Sequence, residues 1–288
     1  MSGVPAEKTY VTNATNVLKK VMMCSPVDYK FNAINVITTE WMKKGDKEKN
    51  DVMVREWQTL VDAYQENGVE VVQVEPRPEC EVMTFARDYG CMVKEGAIIG
   101  HFRHPARQIE TQFYEAKLKE MGVPIIARVN AGCMEGGDFW MLDEHTLVWG
   151  EVDRTDEAGV ANLREQLWKY GYTVIGVPVN PDNLHLDMCF NIVAPQVALA
   201  VPDQLPYQFL KALERRHFEI IPVKAEDVFK HGCNVQCIGD GRVIAIEKNK
   251  HINDKMRALG LEVIDVPFDQ ILHAGGGPHC LTQPIERP

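Results

Sequence analysis

No apolar run in this sequence approaches the ~18 residues that a membrane-spanning helix needs, and no basic stretch offsets its acidity. The 288 residues carry 31 Lys and Arg against 41 Asp and Glu, a net charge of -10. A general nucleic-acid binder needs a basic face, so nucleic acid and membrane are both set aside as partners. Acidity is compatible with a cationic small-molecule substrate, although solubility alone accounts for it. Met1 to Tyr10 lack the basic start and apolar stretch of a signal peptide, which points to a cytoplasmic protein.

Cys-x-x-Cys pairs are absent, and no Cys/His group has zinc-finger spacing. Cys24, Cys80, Cys91, Cys133, Cys189, Cys233, Cys237 and Cys280 are scattered and are expected to be free thiols, most of them core residues. Neither a metal nor an organic cofactor is expected. No Gly-x-Gly-x-x-Gly follows the first strand-like run, so a dinucleotide site has no support. A Pro/Gly-rich linker is also missing. Residues 1–288 therefore read as one domain, with a flexible tail over about residues 1–15.

What the sequence does have is a repeated phrase: an amphipathic helix, usually a Gly, then a short β-branched run often closing on Pro. It recurs five times, from Leu60, Phe113, Leu163, Phe209 and Ile252. Gly68, Gly122, Gly171 and Gly260 stand where a left-handed helix C-cap is wanted, and the fourth copy has His217–Phe218 there. Strand-like runs lie between the copies: VMTFARDYGCMV, AIIGHF, TLVWG, IVAPQVALAV and VQCIGDGRVIAI, the last a hairpin around Gly239–Asp240–Gly241. Five units of this kind suggest a closed, radially repeated α/β architecture. Such a ring can close on itself, so whether the chain forms a homo-oligomer stays open.

Four short motifs could carry chemistry. In GGGPHCLTQP, three glycines permit close backbone approach to a ligand just before Cys280. In NLHLDMCFN, strand alternation would put His185 and Asp187 on one face. In MEGGDFWML, Glu135 and Asp138 flank two glycines ahead of an apolar strand, and the second carboxylate reads more readily as part of a charged turn. In FARDYG, Arg87 and Asp88 sit inside a strand-like run and could pair with each other, while Phe85 could stack on a flat substrate.

The order FARD, EGGD, HLD and GGGPHC resembles the guanidine-modifying (pentein) superfamily of arginine deiminases, arginine dihydrolases, dimethylarginine hydrolases and amidinotransferases. The resemblance runs from VMMCSP at Val21 to Cys280 and implies a five-bladed α/β propeller with pseudo-fivefold symmetry. It implies Cys280 as nucleophile, His185 as general acid–base, Glu135 as its carboxylate partner, and Asp88 and Asp187 as ligands of the guanidinium nitrogens. Arg107 and Arg154 resemble arginines that bind a substrate α-carboxylate. The implied activity is cysteine-dependent hydrolysis at the guanidinium or ureido carbon of arginine or a close analogue, through a covalent thiouronium, releasing ammonia and citrulline or ornithine. Amidine transfer to an amine acceptor and hydrolysis of citrulline or a methylated arginine are the alternatives. The chain departs from the deiminase pattern at Ala86, where Thr is usual, and at His279, where Arg is common; Glu81 to Thr84 also lack the usual Asn. MCSPVDYKFNAIN looks closest to arginine dihydrolases, which carry Asn in place of Asp88.

Overall fold

The computed structural model describes residues 8–288. In chain order the elements are β1 (Lys20–Cys24), α1 (Val36–Lys43), α2 (Asn50–Glu66), β2 (Glu70–Val74), β3 (Gly90–Val93), β4 (Gly96–Ile99), α3 (Glu110–Glu120), β5 (Ile125–Arg128), β6 (Phe139–Asp143), β7 (Thr146–Glu151) and α4 (Glu157–Leu167). They continue with β8 (Thr173–Pro178), β9 (Phe190–Ala194), β10 (Val197–Ala200), α5 (Tyr207–Arg215), β11 (Glu219–Pro222), β12 (Gln236–Gly239), β13 (Arg242–Ile246), α6 (Lys250–Ala258), β14 (Glu262–Val266), α7 (Gln270–His273) and β15 (Gln283–Glu286).

The strands form five three-stranded sheets. Four follow one recipe: a hairpin, a helix, then a third strand parallel to the middle one, giving β3-β4-β5, β6-β7-β8, β9-β10-β11 and β12-β13-β14. The fifth has the same senses but is assembled from both chain ends, with β15 antiparallel to β1 and β1 parallel to β2. All five repeat helices found in the sequence are present and each feeds the outer strand of its sheet. Helices need a break before such a strand, and the left-handed residue supplies it. Gly68, Gly122, Gly171 and Gly260 have φ of 76°, 71°, 82° and 85°, and His217 takes the same role at φ 60°.

Burial falls from the first strand to the third within each unit. β3, β9 and β12 are buried throughout, whereas β5, β8 and β11 show exposed residues. Strands buried on both faces carry near-continuous apolar runs, and half-exposed ones alternate. The first strands therefore face the interior, and what precedes them is delivered there.

Two local expectations are corrected. The strand expected over VMTFARDYGCMV is confined to Gly90–Val93, and Phe85–Asp88 form turns held by Phe85 N–H and Asp88 N–H bonds to Val82 O and Phe85 O. His185 and Asp187 do not share a strand face. His185 caps a 3-10 turn over Leu186–Met188, and β9 starts only at Phe190. Both segments contain buried charges, which a flat strand packed on both faces cannot accommodate but a turn can aim into one cavity. The expected N-terminal tail lies partly outside the described residues. Within them, Tyr10 and Val11 are buried, and Arg287 N–H donates to Tyr10 O at 2.7 Å. Among the described residues no helix is long and apolar enough to cross a membrane, and no two cysteines are joined.

Candidate active site

Each of the five units sends polar side chains inward from the turn just ahead of its first strand. Asp88 precedes β3, Glu135 and Asp138 precede β6, His185 and Asp187 precede β9, Asn234 precedes β12, and Cys280 precedes β15, all within five residues of the strand. The turns converge on one cavity. Seven of the eight side chains expected from the sequence line it: Phe85, Asp88, Arg107, Arg154, His185, Asp187 and Cys280. The eighth, Glu135, stands behind His185, its Oε2 3.0 Å from His185 Nε2.

The glycines of the EGGD motif make this contact sterically feasible. A Cβ on Gly137 would lie 2.7 Å from His185 Cγ and Nδ1, and one on Gly136 would lie 2.0 Å from Gly90 O. Asp138 lies in a turn, as the sequence suggested, but an interior one. It is fully buried, accepts from Thr155 Oγ1 at 2.6 Å and from Leu186 N–H at 2.8 Å, and so ties the EGGD turn to the His185 turn. Burial pushes its carboxyl up to about 7 against the pull of His185. Burial disfavours the His185 imidazolium, but Asp88, Asp138 and Glu135 outweigh it and raise the ring to about 10. His185 is thus an imidazolium at neutral pH, with a proton on each nitrogen.

Cys280 is held by a residue that sequence reasoning missed. Asn234 Nδ2 donates to Cys280 Sγ at 2.8 Å and to Asp187 Oδ2 at 3.3 Å, while Asn234 Oδ1 accepts from the backbone N–H of His279 and Cys280. Its signal was the repeat itself: ahead of β12 it occupies the place that Asp88 has ahead of β3 and Asp187 ahead of β9. Asp187 Oδ2 also accepts from His279 Nδ1 at 2.8 Å and from the Cys280 thiol at 3.3 Å. Burial and the nearby Asp187 and Asp88 push the thiol well above its ordinary value, so it is protonated in the empty cavity.

Arg87 and Asp88 do not pair. Asp88 Oδ2 accepts from Arg107 Nη1 at 2.6 Å, and Arg107 forks onto Glu110, another partner not foreseen. Arg107 is thus committed to three carboxylates, the third being Glu135 at 3.8 Å. Arg154 approaches Glu135 Oε1 at 3.5 Å and bonds Ile34 O, tying the segment ahead of α1 to the cavity mouth. That segment is the end of the MCSPVDYKFNAIN motif, noted in the sequence for its resemblance and not as part of the site. The opposite wall is the glycine loop, where Gly276 lies so close to Phe85 that a Cβ would be 2.3 Å from its ring.

Asp88, Glu135 and His185 bring ligand atoms within 4.8 Å of one another, a spacing a metal could bridge. Arg107 and Arg154, however, already place guanidinium charge against Asp88 and Glu135. The arrangement therefore suits ion pairs better than a cation site. The acceptors left over are different. Asp88 Oδ1 and Asp187 Oδ1 are buried and have no hydrogen-bond partner among the described residues. Two buried carboxylates with unused acceptor oxygens, beside a thiol, present a receptor for a planar multi-donor cation.

Residues 25–287 match the family described as N,N dimethylarginine dimethylhydrolase, eukaryotic. Protein YkgA of Bacillus subtilis (strain 168) is 28% identical over 97% of this chain and 96% of its own. Arginine deiminase of Listeria monocytogenes serotype 4b (strain CLIP80459) is 26% identical over 70% of this chain but only 60% of the deiminase. Among solved structures, the N-terminal domain of cyanobacterial ArgZ, an arginine dihydrolase, in a Cys-to-Ser form bound to substrate, superposes with TM-score 0.83 at 23% identity, covering 93% of this chain and 98% of that one. A dimethylarginine dimethylaminohydrolase adduct with 4-chloro-2-hydroxymethylpyridine gives 0.76 at 21%, covering 93% and 99%. These structural likenesses concern the fold.

Proposed function

The chain belongs to the N,N dimethylarginine dimethylhydrolase family, within the guanidine-modifying superfamily, and from that membership we propose that it hydrolyses the guanidinium carbon of arginine or a close analogue with Cys280 as nucleophile. The carrying observation is the pair of unpartnered oxygens, Asp88 Oδ1 and Asp187 Oδ1, lining the cavity with Cys280. On this reading the five sheets are the blades of an α/β propeller around the site.

A guanidinium cation seated between Asp88 and Asp187 offsets the negative field that keeps Cys280 protonated, so substrate arrival itself favours the thiolate, the thiol proton leaving to bulk water because His185 already carries a proton on each nitrogen. Sγ attacks the planar carbon to give a tetrahedral adduct. His185, an imidazolium steadied by Glu135, gives a proton to the departing nitrogen and becomes neutral. The amine leaves and a thiouronium remains on Cys280. Neutral His185 then takes a proton from water as its oxygen adds to the same carbon, and the C–S bond breaks to return the thiolate. Arg107 and Arg154, both at the cavity, are the candidates for a substrate carboxylate. Arg154 is the better one, because it meets two carboxylates, Asp153 and Glu135, where Arg107 meets three.

The family match supports a second reading, in which the scissile nitrogen bears methyl groups. Mass spectrometry of products from arginine and from N,N-dimethylarginine, with Cys280→Ala beside each, separates the two. Citrulline with ammonia marks a deiminase and ornithine with ammonia a dihydrolase. Citrulline with dimethylamine marks the methylated substrate. Wild-type turnover of neither, or turnover that survives Cys280→Ala, overturns the proposal.

A further inference from the structure

Consecutive residues of two motifs face opposite ways. Asp88 and Cys280 line the cavity just described, whereas Arg87 and His279 line a second one. Arg287, Trp140, Gln283 and Asn191 complete its polar and aromatic lining, and Asn13 and Ala14 lie at its half-buried edge.

Two guanidinium groups sit at this second cavity without an ion-pair partner among the described residues. Arg87 is 6% exposed and Arg287 2%. Arg87 donates Nε to His279 O and Nη2 to Gln236 Oε1, and Arg287 donates to Ala14 O and Cys237 O. All four acceptors are neutral, and among the described residues no carboxylate lies within ion-pair distance of either group. Buried charges in folded proteins are normally paired, and an arginine cannot shed its proton at neutral pH. Burial weakens the hold of Arg87 on its proton; Asp187, beyond ion-pair distance, partly offsets this, and Arg287 adds repulsion of its own. Further polar atoms at the same cavity are unsatisfied: Arg287 Nε and Trp140 Nε1 as donors, and Asn191 Oδ1 and Gln283 Oε1 as acceptors. The donors want an anion and the acceptors want a hydroxyl.

We propose that this second cavity binds a small oxyanion that retains an O–H, of the bicarbonate or hydrogen phosphate type, between Arg87 and Arg287. The anionic oxygens satisfy the guanidinium donors, and the O–H goes to Gln283 or Asn191. A halide offers no such hydrogen. The site communicates with the first cavity through His279. Its carbonyl accepts from Arg87, its ring stacks on Trp140 at 4.7 Å, and its Nδ1 donates to Asp187. This inference stands on the second cavity alone and does not depend on the proposed hydrolysis.

Isothermal titration of the full chain with sodium bicarbonate, and separately with potassium phosphate, at ionic strength matched with chloride, tests it. Saturable binding of at least one oxyanion is expected, weakened about tenfold or more in Arg287→Gln and reduced in Gln283→Leu. Arg154→Gln, at the first cavity, should keep it. Circular dichroism establishes that each variant is folded, and Gln283→Leu carries the test should Arg287→Gln fail to fold. No saturable binding, equal binding of chloride, binding indifferent to both second-cavity variants, or loss in Arg154→Gln instead would each overturn the site.

Discussion

Cys280 Sγ lies 3.3 Å from Asp187 Oδ2, so the thiol proposed as nucleophile rests against an anion. An anion at this distance holds the proton on sulfur, as burial does. Low reactivity follows in the free protein, and activation should require a cation. Alkylation of Cys280 by iodoacetamide is expected to be slow at neutral pH. Asp187→Asn should speed it in the free protein, because the like charge is gone, while weakening arginine binding. Equal or slower alkylation in Asp187→Asn, followed by mass spectrometry of the Cys280 peptide, would contradict this account.

Asn234 is the donor that opposes Asp187 at the same sulfur. Its Nδ2 contact with Sγ favours the thiolate, and its Oδ1 fixes the backbone of His279 and Cys280. Asn234→Ala removes both and is expected to lower kcat by about 10²-fold, on the scale of losing one preorganised donor. Asn234→Asp keeps the acceptor but puts a charge beside the thiol, so it should be at least as damaging to kcat while preserving thermal stability better. Steady-state kinetics together with thermal unfolding separates the two contributions.

Asp88, Asp138 and Glu135 together raise the pH range of His185 against its burial. The folded ring titrates at about 10, against about 6.5 in an unfolded chain. The stabilisation from charged His185 is therefore complete below about pH 6.5 and is lost as pH rises towards the folded value. Glu135→Gln removes one of the carboxylates holding the proton. The basic limb of the kcat profile should move to lower pH, and the alkaline loss of stability should begin earlier. An unmoved basic limb would mean that another group controls the proton transfer.

Gly137→Ala places a methyl 2.7 Å from the His185 ring, on the side of a buried, rigid turn. The ring must tilt away from Glu135. Turnover is expected to fall at least tenfold with KM little changed, since the cation ligands Asp88 and Asp187 are untouched. Equal kcat in Gly137→Ala would show that the EGGD turn yields without moving the histidine.

The repeat was legible because each helix–Gly–strand phrase is a local instruction: helical periodicity, a left-handed stop, then β-branched residues. The candidate site was legible through the order of the FARD, EGGD, HLD and GGGPHC motifs and their resemblance to a known superfamily, each motif being weak alone. The turn geometry around Phe85–Asp88 and His185–Asp187 was not, because apolar neighbours in both segments mimic strand alternation while burial of their charges forces a turn. Asn234 and Glu110 were hidden for another reason. An asparagine before a strand and a glutamate opening a helix are ordinary until the cavity brings Cys280 and Arg107 against them.

His217 gives the repeat a thermodynamic test. Four units end their helix with a Gly at positive φ, and the fourth in chain order uses His217 at φ 60° on an exposed turn. An L side chain there is strained by roughly 1–2 kcal/mol relative to the right-handed region. Glycine removes that strain but loosens the unfolded chain by about 0.5–1 kcal/mol. The balance favours His217→Gly by about 0.5–1 kcal/mol, which for a domain of this size raises Tm by about 1–4 °C. His217 makes no side-chain hydrogen bond among the described residues, so little is lost against that gain. Calorimetric scans of His217→Gly beside His217→Ala decide the matter. Ala keeps the Cβ and should show no gain, so equal Tm in both variants would mean that the left-handed backbone at this position is not what limits the unit.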